Sequence, residues 1–306
     1  MNILGILTQP SVPPVPPIEK GGFTIGGFTT ANVNTIYKIT FSTDTTASIS
    51  ATLSNAVTNN NGYASTSNGY SAGGSGLTAV DKLAFATETR TTLGTGMAES
   101  RTGGFSFASS TNGYVAGGRD AGGTYQSTIT KMLFSTDIFS ASSASISSTR
   151  NIGASFFSSS NGYCAGGETN AGAVVTTVDK INYSGDSRTT LGTGLAAARY
   201  YNNGFSSSTA GYSLGGWNST SSALQTDVYK FLFSDDSRTT LGTGLPTGLG
   251  YAPSGINSST AGYFMGGYNG SAEVATAYKF TFSDDSRSTL SNMPVAIRSG
   301  GGFSNV

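Results

Sequence analysis

Pairs of glycines recur along the chain at Gly26-Gly27, Gly73-Gly74, Gly117-Gly118, Gly166-Gly167, Gly215-Gly216 and Gly266-Gly267. A second landmark keeps the same beat: Lys38, Lys82, Lys131, Lys180, Lys230 and Lys279. Each of these lysines is followed three positions on by an aromatic residue, namely Phe41, Phe85, Phe134, Tyr183, Phe233 and Phe282. Two independent landmarks in six copies mean one supersecondary unit repeated six times, and such units bury their faces against one another.

The fifth copy shows what the unit is. Asn203 to Ser208 is a short strand of small residues, followed by a turn at Thr209-Ala210 and a second strand, Gly211 to Gly216. A variable loop, Trp217 to Thr226, leads to a third strand, Asp227 to Phe233. There Val228, Lys230 and Leu232 alternate with Tyr229, Phe231 and Phe233, the period-2 pattern of a strand with two faces. Ser234 to Ser237 turns the chain and Arg238 to Leu245 reads as an outer strand. In three copies the first turn is expected to be a type I′ hairpin at Asn68-Gly69, Asn112-Gly113 and Asn161-Gly162. The Gly pairs are expected to let backbones of neighbouring units approach closely.

Four strands per unit and no helical periodicity predict an all-β, six-bladed β-propeller of four-stranded blades. The double Gly after an apolar strand and the aromatic-bearing third strand ending in a polar turn resemble the Kelch repeat family over residues 21–306. The Trp usual on the family's fourth strand is replaced, as by Leu93, Leu191, Leu241 and Leu290. The first copy opens at a second-strand segment, Gly22 to Gly27, and the chain ends on Arg298 to Ser304, which matches the first-strand segments 101–106 and 199–206. The C-terminal strand is therefore expected to pair into the first blade and close the ring. Residues 1–20 form a separate Pro-rich N-terminal arm, and 21–306 the propeller.

Composition removes several function classes. Sixteen Lys and Arg balance sixteen Asp and Glu, so no basic surplus exists to neutralise phosphates, and no nucleic-acid partner is expected. Histidine is absent, which removes the commonest general base and metal ligand. No Ser-His-Asp triad can form. One Kelch-type relative is a copper oxidase, whose chemistry needs His ligands that this chain lacks. The single cysteine, Cys164, excludes an intrachain disulfide and reads as a small buried thiol. The turn carboxylates Asp44, Glu88, Asp137, Asp186, Asp235, Asp236, Asp284 and Asp285 suit turns and follow no calcium-loop pattern. We expect no catalytic residue, no metal and no cofactor. No apolar run is long enough for a spanning helix, and residues 1–7 lack the basic region of a signal peptide, so neither membrane insertion nor signal-directed secretion is expected.

The six lysines and the repeated Arg101, Arg150, Arg199 and Arg298 recur with the blades and read as structural. Each Lys lies too far from the Asp of its own turn to reach it, so its partner belongs to a neighbouring strand or blade, or to water.

Two regions break the repeat. The loops between second and third strands gather on one face and carry Arg119, Asp120, Tyr125, Trp217 and Tyr268, residue types suited to recognition of a protein or glycan. The arm carries an apolar tip, Ile3, Leu4, Ile6 and Leu7, then a stiff polyproline spacer with Pro13, Pro14, Pro16 and Pro17, suited to docking on other subunits of an assembly. The Gly/Ser/Thr-rich, low-charge composition resembles that of bacteriophage virion proteins. That resemblance implies a non-enzymatic tail-fibre, baseplate or capsid-decoration component, located in the virion and anchored through residues 1–20. The alternative is a lectin-like propeller reading surface glycans or a receptor through the loop-face aromatics.

Overall fold

The computed structural model describes residues 18–252 and 255–306. The described residues are all β or irregular, with no helix. Six antiparallel blades follow one another round a ring. Blade five contains Asn203–Ser206, Ala210–Leu214, Val228–Leu232 and Arg238–Thr240 in spatial order. Blades two, three and four have the same four-stranded order. In blade six the strands Ala261–Met265, Ala277–Thr281 and Ser286–Thr289 are joined on their inner side by a bridge between Asn257 and Gly262.

Blade one is assembled from both ends of the chain. Its strands Gly21–Phe28, Asn32–Thr40 and Thr45–Val57 take Gly301–Ser304 as their inner partner, with Phe23 opposite Phe303 and Ile25 opposite Gly301. The predicted closure is thus present.

The core is divided into six layers, one between each pair of neighbouring blades. Alternation on the third strand sorts side chains between layers: Val228 packs with Phe264 and Phe280 of blade six, while Tyr229 and Phe231 pack with Phe156 and Tyr163 of blade four. Burial of large aromatics on both faces of every blade is the main stabilising term.

Each boundary also carries a polar clasp. The recurrent lysines reach the turn carboxylate of the next blade: Lys38–Glu88, Lys82–Asp137, Lys180–Asp236, Lys230–Asp285 and Lys279–Asp44 at 2.7–2.8 Å, and Lys131–Asp186. The Lys279–Asp44 pair crosses from blade six to blade one. In four boundaries a Tyr hydroxyl donates to the same carboxylate, as Tyr212 does to Asp285 at 3.0 Å. The aromatic three residues after each Lys stacks on the preceding blade, for example Phe282 on Tyr212 with centroids 5.4 Å apart. The recurrent lysine and the aromatic that follows it thus serve the same boundaries, and the carboxylates sit in left-handed turns (φ +53° at Asp285) where Asp is tolerated.

Two local expectations need correction and a third needs an addition. Asn68-Gly69 and its counterparts are not hairpin turns; they begin the second strand. Glycine is required there because a Cβ on Gly69 would lie 2.0 Å from the Phe303 ring of the preceding blade, and on Gly211 1.9 Å from Phe156. The Gly pairs do approach neighbouring backbone, but they also need left-handed dihedrals: Gly215 and Gly216 have φ of +63° and +87°. The outer strand of blade five ends at Thr240 rather than Leu245, because Gly244 turns inward onto the Thr226 carbonyl, 2.6 Å from where its Cβ would be.

Candidate functional site

Strand direction sets two faces. Loops between second and third strands, together with the connections from outer strand to next inner strand, lie at one end of the ring, the loop face. The other hairpin turns lie at the opposite end, the turn face. On the loop face the connections meet at the axis in a closed circle of backbone hydrogen bonds. The N–H of Gly103 donates to Asn59, Ile152 to Gly103, Tyr201 to Ile152, Tyr251 to Tyr201, Ser299 to Tyr251 and Asn59 to Ser299, at 2.5–2.9 Å. All six residues have positive φ, from +49° at Ile152 to +66° at Gly103. This ring narrows the central channel at the loop face and leaves a cavity of about 70 Å³ beside it.

Two of those six positions are tyrosines, and they seed an aromatic row. Tyr200 and Tyr201 are 5.0 Å apart, Tyr201 stacks on Tyr251 at 3.5 Å, and Tyr251 meets Tyr268 edge-on at 5.7 Å. Arg298 lies over Phe28, Tyr251 and Tyr268 at 4.9–5.6 Å and pairs with Glu273 at 3.1 Å. At the other end Tyr200 bridges to Trp217, whose short strand Trp217–Asn218 pairs with Ala223–Leu224. Burial pushes the Tyr251 phenol up to about 12.

The loop residues named from the sequence fall into two groups. Trp217 and Tyr268 stand at the two ends of the row, both half-buried. Tyr125 is also half-buried and donates to Glu168 Oε2 at 2.9 Å. Arg119 is exposed, and its backbone bridges Thr102 and Tyr125. Asp120 is engaged within its own loop, accepting from Thr124 N at 2.9 Å and Gln126 Nε2 at 2.7 Å. The Thr124 N–H holds the Asp120 carboxyl below the usual carboxylate range. The arm residues Ile3, Leu4, Ile6, Leu7, Pro13, Pro14, Pro16 and Pro17 lie outside the described residues.

Sequence reasoning missed Tyr200, Tyr201 and Tyr251 because they lie in the short connections between blades and not in the variable loops. The signal lay in the axial connections, where Tyr201 stands two residues after Arg199 as Gly103 stands after Arg101, and Tyr251 holds the same ring position after Leu249. Arg298 shares in the row because it stands one position later than the other recurrent arginines: Ile297 takes the place of Arg101, Arg150 and Arg199, whose carbonyls accept from the second glycine of each pair, and those three are buried in the frame. Arg150 and Asp179 form an ion pair at 2.5 Å with both side chains 0% exposed, and Arg199 reaches Asp227 at the same distance. Burial also raises the Cys164 thiol, which removes thiolate character. Among the described residues no group of three or more His, Cys, Asp and Glu is placed to hold a metal, and no helix is long and apolar enough to cross a membrane.

No protein-family model and no curated protein matches the chain. Among solved structures, one titled "Structure of YjhT" superposes with a TM-score of 0.73 at 13% identity, covering 92% of this chain and 99% of that one. At that identity the likeness establishes the propeller fold.

Proposed function

We propose that this chain is a non-enzymatic structural and interaction protein of a larger assembly, a Kelch-like propeller serving as a bacteriophage tail-fibre, baseplate or capsid-decoration component and anchored through residues 1–20. The observation that carries the reading is the polarity of the ring. Glu19 accepts from Asn305 Nδ2 through its carbonyl at 3.2 Å, and Lys20 accepts from Phe41 N at 3.1 Å, which sets the entry to the propeller on the turn face. The aromatic row lies on the opposite face. An attachment side and a display side are thereby separated by the depth of a rigid ring. Deleting residues 1–20 should leave the propeller folded and abolish incorporation into the assembly; unchanged incorporation refutes the anchor.

The row itself favours a second reading, recognition of surface glycans, since tyrosine faces beside an arginine and an acid suit sugar stacking and hydroxyl pairing. A glycan array separates the two: binding that is lost in Trp217→Ala or Tyr268→Ala supports it, and silence across the array counts against it.

A further inference from the structure

From the ring of backbone hydrogen bonds the central channel widens toward the turn face into a cavity of about 640 Å³, a size typical of small-ligand pockets. Its wall is made by the inner strands, and one set of inward positions breaks the sixfold symmetry in an ordered way. Blades two, three and four contribute Ala64, Ala108 and Phe157; blades five, six and one contribute Ser206, Asn257 and Ser304. At this level three adjacent blades are apolar, with Phe157 half-buried, and the facing three present hydroxyl and amide groups; one layer nearer the ring the order reverses, with Ser106 and Ser155 in blades three and four and Gly255 and Gly302 in blades six and one. No Asp, Glu, Lys or Arg is among the lining residues.

The polar half is pre-oriented. Ser206 Oγ accepts from Phe157 N at 2.8 Å and Ser304 Oγ accepts from Asn257 N at 2.9 Å. Each hydroxyl is held by its acceptor side and retains its proton to donate.

We propose that this channel binds a neutral saccharide of one to three rings, entering from the turn face. A pyranose has an apolar C–H face and a rim of hydroxyls, which match Phe157 on one wall and Ser206, Asn257 and Ser304 on the other. A sugar acid would lose hydration in a cavity that offers no cation, so the lining selects against anions. The site stands independently of the loop-face reading, because it lies beyond the narrow ring and shares none of the row's residues.

Saturation-transfer NMR on the full chain tests it, with glucose, galactose, N-acetylglucosamine and their trisaccharides as probes and the matching uronic acids as controls. At least one neutral probe should bind. Phe157→Ala should weaken that binding by about 10-fold or more, the equivalent of one good ring contact, while Phe157→Tyr and Trp217→Ala preserve it. If Phe157→Ala fails to fold, Asn257→Ala on the polar wall should weaken binding in its place. The proposal is overturned if no neutral probe binds, if a uronic acid binds as tightly as its neutral parent, or if Trp217→Ala abolishes binding that a folded Phe157→Ala or Asn257→Ala retains.

Discussion

Asn305 Oδ1 accepts the backbone N–H of Gly21, a contact between residues 284 apart in sequence. In five blades the same position is a serine whose hydroxyl accepts the N–H three residues on: Ser65 from Asn68, Ser109 from Asn112, Ser158 from Asn161, Ser207 from Ala210 and Ser258 from Ala261, at 2.9–3.0 Å. Blade one is the same hairpin with its turn cut. The longer Asn side chain spans the gap between two chain ends that no peptide bond holds together. Phe303 completes the join by packing on Phe23 and Phe85, with centroids 5.4 and 6.0 Å away.

Closure of this kind predicts a graded response. Asn305→Ala removes the buried bond from Gly21 and the longer one to the Glu19 carbonyl and should cost about 1–2 kcal/mol, read as a lower urea midpoint. Deleting residues 301–306 removes the inner strand of blade one and strips cover from Phe23 and Phe85. That chain should lose its cooperative transition and expose apolar surface to dye; an unchanged urea transition would contradict ring closure as the source of stability.

Gly211 has the Phe156 ring of blade four where a side chain would begin. Gly211→Ala should therefore force the two blades apart and cost about 1–3 kcal/mol or more through overpacking. Gly242→Ala is the matched control, since no atom lies within 4 Å of its would-be Cβ. Equal urea midpoints for the two variants would remove close inter-blade packing as the reason for the repeated glycine.

Asp44 receives both Lys279 Nζ at 2.7 Å and Tyr263 Oη at 3.0 Å from blade six. Asp44→Ala loses both partners and places a Cβ-only residue at φ +53°, so it should cost about 1–3 kcal/mol. Asp44→Asn keeps a neutral acceptor and a residue that tolerates left-handed φ, and should lose less. The reverse order in chemical denaturation would show that the turn conformation and the clasp contribute little.

The ring, its blade number and its closure were legible because each rests on residues that recur: Gly215-Gly216, Lys230 and Phe233 have counterparts in every copy. Lys230 could be judged structural, yet its partner Asp285 lies 55 residues on, and only the inter-blade geometry brings them together. Asn68-Gly69 misled because the dipeptide is a strong hairpin signal, whereas the constraint on Gly69 comes from Phe303 at the far end of the chain. The tyrosine row was hidden for a similar reason: Tyr201 and Tyr251 are 50 positions apart, and they meet only because both occupy the axial ring. The channel wall needs the inner strands to face one another, which gives Phe157 and Ser304 a shared cavity that no local pattern encodes.

Alkaline pH should weaken the clasps. Tyr70, Tyr163, Tyr212 and Tyr263 are all shifted above the ordinary phenol value of 10.0, mainly by burial, with the carboxylates Asp137, Asp236, Asp285 and Asp44 adding to the shift. Below pH 10 both folded and unfolded chains keep these phenols protonated, and the contribution is fully present. Above it the unfolded chain releases protons that the folded chain retains, so stability falls as pH rises. The phenolate absorbance of these residues should then appear together with loss of the β-sheet circular dichroism rather than before it. Tyr212→Phe separates the two effects of the hydroxyl. It gives up the bond to Asp285 and should cost about 1 kcal/mol at neutral pH, while removing one ionisable group, so its stability should decline less steeply above pH 10. A variant that declined as steeply as the parent would show that ionisation of the clasp is not what limits the fold in alkali.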